Sequence, residues 1–305
     1  IAPAAPHALH MPSHIFFALG MWDRGAQSNV DSYEAAKAKA AERDISLTGG
    51  GFHALHWLHY ARLQQGRHED ARSVFGTTKT HATAGASGYG DYMRWYMPVA
   101  YVVETKQWDQ LGSLLEAMQV TPDSLDTRAA VTVHAGRGLA AAQQGNLETA
   151  QSALDEAKSA LGTSDDEDLR IQVRELEGMV AMAKGNTDPA LAHLKEAAAI
   201  EAEKPLNFGP PFPPKPAHEL YGEALLALDR PDQALAQFEA TLARYPGRAL
   251  ALMGKAKAAT QAGKPELATE ARTALSDQWT NADAPVRNRL ESLSTVQTSA
   301  ASNSK

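Results

Sequence analysis

Residues 217–250 read AHELYGEALLALDRPDQALAQFEATLARYPGRAL, and this stretch decides the fold. Apolar residues recur at helical spacing as far as Leu228, where Asp229, Arg230 and Pro231 interrupt them. The periodicity resumes through Leu235, Phe238 and Leu242 and stops at Pro246 and Gly247. Two helices joined by a tight turn are predicted. Gly222 precedes Ala234 by 12 residues, Phe238 follows after 4 more, and Pro246 after a further 8. The small residues at 222 and 234 let two helix backbones approach where they cross. Phe238 fills the gap to the next pair, and Pro246 cannot continue the second helix.

The same frame recurs along the chain. Gly178, Ala190, Leu194 and Ala197 form one unit, and Gly138, Ala150, Leu154 and Ala157 another. Ala256 and Ala268 repeat it 34 residues beyond Gly222 and Ala234, and weaker copies span Val99–Leu115, His59–Phe75 and His14–Val30. The second-helix anchors Ala26, Ala71, Leu111, Ala150, Ala190, Ala234 and Ala268 lie 34 to 45 residues apart, so most connections are longer than in a regular array. These offsets resemble the tetratricopeptide consensus. The expectation is an all-α chain: a right-handed α-solenoid of about seven helix pairs whose first helices line a concave face. It is read as a single solenoid over 1–291, with His-rich pairs in 1–76, middle pairs in 92–204, a proline-rich linker at 205–216 and C-terminal pairs in 217–291. A disordered tail is expected over 292–305 and a flexible crossing over Thr77–Asp91. The acidic connection Gly162–Asp168 is predicted to cap the next helix through Ser164 or Asp165.

Composition narrows the function classes. The 305 residues are 44% hydrophobic and 21% charged, as in a globular protein, with a formal net charge of −7. Without a clustered basic run there is no footprint for nucleic acid. No stretch of about eighteen apolar residues occurs, so no membrane span is expected. The chain has no cysteine, which excludes disulfides, thiolate metal sites and cysteine nucleophiles. A transition metal would have to be held by histidines and carboxylates. Nothing in the composition separates cytoplasm from periplasm. No phosphate loop, dinucleotide fingerprint or HExxH motif is present.

Six of the eleven histidines crowd into the first two pairs. His7, His10 and His14 lie at i, i+3 and i+7; His53, His56 and His59 lie at i, i+3 and i+6. Each spacing collects its triad on one helix face. His14 and His59 occupy the frame position that is glycine at 138, 178 and 222, so the triads fall on the first helices of adjacent pairs, about 8–10 Å apart. All six are candidate ligands for copper, zinc or iron, three or four of them sufficing for one ion. Neutral imidazoles are required, so affinity should fall below about pH 6.5. Two other readings stand beside a metal-binding scaffold: a metal-dependent enzyme using the same site, and a metal-free interaction module in which the histidines are structural. Pro12 should kink the helix between His10 and His14.

Tyr92, Arg94, Trp95 and Tyr96 open the third pair and are candidate walls of the same pocket, with His81 in the preceding loop as an added ligand. In the linker LNFGPPFPPKP, Phe208 and Phe212 could lie across the concave face; a wide connection that alters the superhelical pitch is the simpler reading. His134 and His218 share one repeat position, too distant in chain order to join the first cluster.

The string HALHMPSHIFFALGMWDRGAQSN, then HALHWLHYARLQQGR, then the proline-rich stretch before the strongest repeat, is similar to a group of bacterial tetratricopeptide-repeat proteins that carry an HxxHMPSHI motif. The resemblance covers roughly residues 3–275. It implies the solenoid and a histidine site, and it names no substrate. Its members have a further helix pair upstream with an HYxxHA motif, so the chain is expected to be truncated at its N-terminus. An exposed, apolar solenoid end would then favour a homodimer through that end. A protein or peptide on the concave face is the other partner expected.

Overall fold

The computed structural model describes residues 5–45, 47, 49–81, 88–121 and 125–291. Among these residues every regular element is helical, and the helices follow one another as seven pairs. The first pair is α1 (Pro6–His10) and α2 (Pro12–Ala18) against α3 (Trp22–Glu42). Then come α4 (Gly49–Gln64) with α5 (His68–His81), α6 (Tyr89–Thr105) with α7 (Leu111–Ala117), and α8 (Thr127–Gln143) with α9 (Leu147–Leu161). The last three are α10 (Glu167–Ala183) with α11 (Thr187–Glu203), α12 (Ala217–Ala227) with α13 (Pro231–Arg244), and α14 (Ala249–Gln261) with α15 (Pro265–Gln278). Residues 284–291 form a final helical segment. Each first helix packs on its own second helix and on the next first helix.

One backbone feature repeats in every pair. A residue with positive φ ends the first helix: Gly20, Gly66, Lys106, Gly145, Gly185, Asp229 and Gly263. The left-handed conformation turns the chain back at once, which glycine does without strain. Lys106 and Asp229 adopt it without that freedom. The crossing positions behave as the frame demands. A Cβ on Gly138 would stand 2.6 Å from Leu176, one on Gly178 2.6 Å from Leu194, and one on Gly222 3.0 Å from Phe238.

Several local expectations are corrected. The crossing Thr77–Asp91 is helical at both ends, since α5 continues to His81 and α6 begins at Tyr89; residues 82–87 and the tail 292–305 lie outside the described residues. The cap of α10 is Asp166, whose carboxylate accepts from the backbone N–H of Asp168 and Leu169, while Ser164 Oγ accepts from Asp166 N. Asp166, at φ −59° and ψ 113°, aims its side chain at those orphan donors. The proline-rich linker is not merely a wide connection. Gly209 lies against Trp57, Tyr96 Oη donates to the carbonyl of Pro211, and Phe212 packs on Tyr96 and under the Arg128 guanidinium, 4.1 Å from its ring centre. The linker therefore lies along the first helices α4, α6 and α8.

The curve closes on itself. Trp22 Nε1 donates to the Gly247 carbonyl, Trp279 Nε1 to that of Gln64, and Asp283 N to that of Gly66, each at 3.0 Å. At the centre stands Arg248, fully buried at the start of α14. Its guanidinium grips both oxygens of Glu219 on α12 at 2.6 and 3.0 Å, pairs with Glu104 of α6 at 2.6 Å and donates to Tyr60 Oη of α4 at 3.0 Å. Lys215 bridges Glu219 and Glu223, and Lys106 reaches Glu223. Burial pushes the Glu219 carboxyl up, but Arg248 and Lys215 outweigh it and hold it at about 2. None of these charges was singled out from sequence.

Candidate functional site

The first helix of pair one is broken where Pro12 predicts. Pro6 and Pro12 each occupy the first turn of a helix, where a missing N–H costs nothing, and Met11 bridges α1 and α2. The break changes the aim of His10 relative to His14. Their Nε2 atoms face one another at 3.1 Å. His53, near the start of α4, brings its ring to 4.4 Å from that of His10, centre to centre. One nitrogen from each of His10, His14 and His53 falls within 4.8 Å of the others. His10 is buried, and the other two are half-buried.

The surroundings set the tautomer of His10. Asn29 on α3 donates its amide nitrogen to the Gly25 carbonyl at 2.7 Å, so its oxygen faces His10. His10 Nδ1–H donates to that oxygen at 2.7 Å, with Ser13 Oγ 3.3 Å away. Nε2 of His10 is therefore a lone pair aimed into the cluster, and His14 supplies the proton of the 3.1 Å bond. Trp57 closes one wall, 4.9 Å from His10 and 4.4 Å from His14, and Tyr89 packs on His53 at 4.8 Å. Burial, reinforced by the neighbouring imidazoles, pulls His10 down to about 4, the Asn29 bond opposing; burial with the charges of His14 and His7 does the same to His53. His14 is lowered for the same reasons. The three rings are neutral at neutral pH.

The other three histidines go elsewhere. His7 is exposed at the rim, its ring 6.4 Å from that of His10. His56 points toward α6: Nδ1 bonds Tyr89 Oη at 2.7 Å, Tyr92 and Tyr96 flank the ring, and Nε2 finds no partner. His59 is fully buried against Phe75 on its own second helix, 5.2 Å away, and burial takes it down to about 3. That contact is the counterpart of Gly222 against Phe238, so His59 serves the helix crossing. Of the expected pocket wall, Tyr92 and Tyr96 border His56. Trp95 packs on Tyr92 and Phe212. Arg94 turns away, donating to the carbonyls of Met118 and Gln119 beyond α7. The side chain of His81 lies outside the described residues. His134 pairs with Glu156, and His218 with Gln237, both far from the cluster. Asn29 and Trp57 were not singled out from sequence; Asn29, 19 residues from His10, shows no spacing signal.

Residues 221–282 match the family model for the tetratricopeptide repeat. The fold is that of a tetratricopeptide solenoid. A tetratricopeptide repeat protein from Parabacteroides merdae ATCC 43184 superposes with a TM-score of 0.50 at 13% identity, over 95% of this chain and 98% of that one. A chain of the APC/C hetero-tetramer Cut9–Hcn1 gives 0.45 at 15% identity, over 89% of this chain and 55% of its own. At such identities the likeness concerns fold alone. None of the curated proteins matches the sequence. No helix among the described residues is long and apolar enough to cross a membrane.

Proposed function

We propose that this tetratricopeptide scaffold binds one transition-metal ion through His10, His14 and His53. The observation that carries it is the convergence of three imidazole nitrogens, two of them 3.1 Å apart, with no carboxylate or cation among them. Three histidines around a tetrahedral ion, with metal–nitrogen bonds of about 2.0–2.1 Å, need nitrogens about 3.3 Å apart. The His10–His14 pair stands near that spacing, and torsion of half-buried rings closes the rest. The Gly25–Asn29–His10 chain is the outer bonding that fixes a metal-binding tautomer. To ligate through Nε2, His14 would take the tautomer with its proton on Nδ1, which frees the Nε2 lone pair and keeps the ring neutral. His7 stands at the rim, within reach of the fourth position, and the neutral donor set suits copper or zinc. The lowered proton affinities move the loss of metal below the pH of about 6.5 expected for free imidazole, toward pH 4–5.

Elemental analysis of the chain purified without added metal tests this. Stoichiometric metal in the wild type, lost in a His10→Ala, His53→Ala double variant, is the expected result. Absence of uptake by the wild type after incubation with zinc and copper salts rejects the site.

A second property is supported by Met11, Ile15 and Leu19, exposed at 45%, 64% and 62% at intervals of four on the outer face of α1 and α2. This apolar stripe lies beside the imidazoles on the first described pair and suits a homodimer through that face. Light scattering should give a dimer mass that Ile15→Lys reduces to monomer; a monomeric wild type rejects it.

A further inference from the structure

The interior of the curve differs between its two sides. The linker occupies the side that carries Trp57 of α4, Tyr96 of α6 and Arg128 of α8. On the other side, the C-terminal ends of α6, α8, α10, α12 and α14 surround a cavity of about 750 Å³. It shares no lining residue with the imidazole cluster. Its size falls within the ~300–1,000 Å³ of small-molecule sites.

The walls are apolar and thioether-rich: Met179 and Met182 from α10, Leu220 and Ala224 from α12, and Met253 from α14. Methionines adapt to irregular hydrocarbon shapes. Three cations face the space, Lys106, Lys257 and Arg289, against one carboxylate, Glu223. The lining therefore carries a charge of +2 (three minus one) within a chain of net charge −7. Glu223 is neutralised already by Lys106 and Lys215, each at 2.9 Å. Arg289 is anchored through the Thr105 carbonyl at 3.0 Å. Lys257 is exposed, and no carboxylate among the described residues pairs with it.

We infer that this cavity binds an aliphatic carboxylate, with its tail against the methionines and its head at Lys257 and Arg289. The chemistry favours a hydrocarbon tail over a peptide. A peptide would bury its own N–H and C=O groups against Met179, Met182, Leu220, Ala224 and Met253, whose side chains offer no hydrogen-bond donor, at a cost of about 1–3 kcal/mol for each group left unpaired. A hydrocarbon tail carries no such groups.

The test titrates the full chain with dodecanoate by calorimetry and by the fluorescence of Trp108, which borders the cavity. Saturable one-to-one binding is expected. Acetate, which lacks the tail, and dodecyltrimethylammonium, which reverses the head charge, should not bind. Lys257→Glu, at an exposed position that leaves folding intact by circular dichroism, should weaken dodecanoate about tenfold, the equivalent of one charge-assisted contact. Met182→Lys should abolish entry of the tail. Absence of dodecanoate binding, equal binding of the cationic amphiphile, or an unchanged affinity in Lys257→Glu overturns the inference. Tighter binding of an apolar peptide with a free C-terminus also overturns it.

Discussion

Two groups of polar side chains are buried in this molecule, and they are opposites. Around Arg248 every charge has a counter-charge, and the guanidinium is bonded on three sides. Around His10 the neighbours are alike: three neutral imidazoles with one lone pair aimed inward and no anion in the set. A saturated network has nothing left to bind, and it holds the closed curve together. A cluster of like donors gains its missing partner when a cation arrives. The difference separates the structural centre from the proposed binding centre more clearly than burial does, since Arg248 and His10 are both buried.

The largest effect should come from unbalancing the saturated centre. Arg248→Met leaves Glu104 buried and without its cation and Glu219 held by Lys215 alone, and urea unfolding should show a loss of about 3–5 kcal/mol. A loss below about 1 kcal/mol would mean that the curve is not held by this network.

Acid should act on the other centre. His10 and His53 at about 4, and His59 at about 3, bind fewer protons folded than unfolded between those values and the ordinary 6.5. Stability is therefore full above about pH 6.5 and falls as pH drops toward 4, by about 2–4 kcal/mol in metal-free protein. Thermal melts across this range should show a shallower decline for the His10→Ala, His53→Ala variant. Equal slopes would place the titration elsewhere.

A subtler change tests the tautomer. Asn29→Leu removes the oxygen that holds Nδ1–H of His10 and should weaken metal affinity by about 10–100-fold, with the three ligands intact. The smallest effect belongs to a surface pair. Lys264 is half-buried and its partner Asp232 exposed, and Lys264→Ala should change stability by less than about 1 kcal/mol.

The repeats were legible because their physics is local. Gly222, Ala234 and Phe238 mark a crossing through size alone, and the same frame already placed His59 at a crossing. The meeting of His10 with His53 was legible only as two triads on adjacent helices. Which members meet depends on the break at Pro12 and on the rotation of α4 against α1, and neither leaves a mark in spacing. Arg248, Glu104 and Glu219 were illegible for a longer-range reason. Their encounter needs the summed rotation of the pairs from α8 to α13, set by connections of unequal length. The linker was misread because its prolines announce an extended chain without saying which surface it follows. Tyr96, Trp57 and Arg128, which receive it, are distant in sequence.

The central claim is that three imidazoles share one ion. X-ray absorption spectroscopy of the full chain loaded with one equivalent of zinc tests it most directly. The expected spectrum shows three imidazole nitrogens at about 2.0–2.1 Å with one further light atom, and it changes in His53→Ala. A first shell dominated by oxygen, or a spectrum unchanged in that variant, would contradict the assignment of His10, His14 and His53.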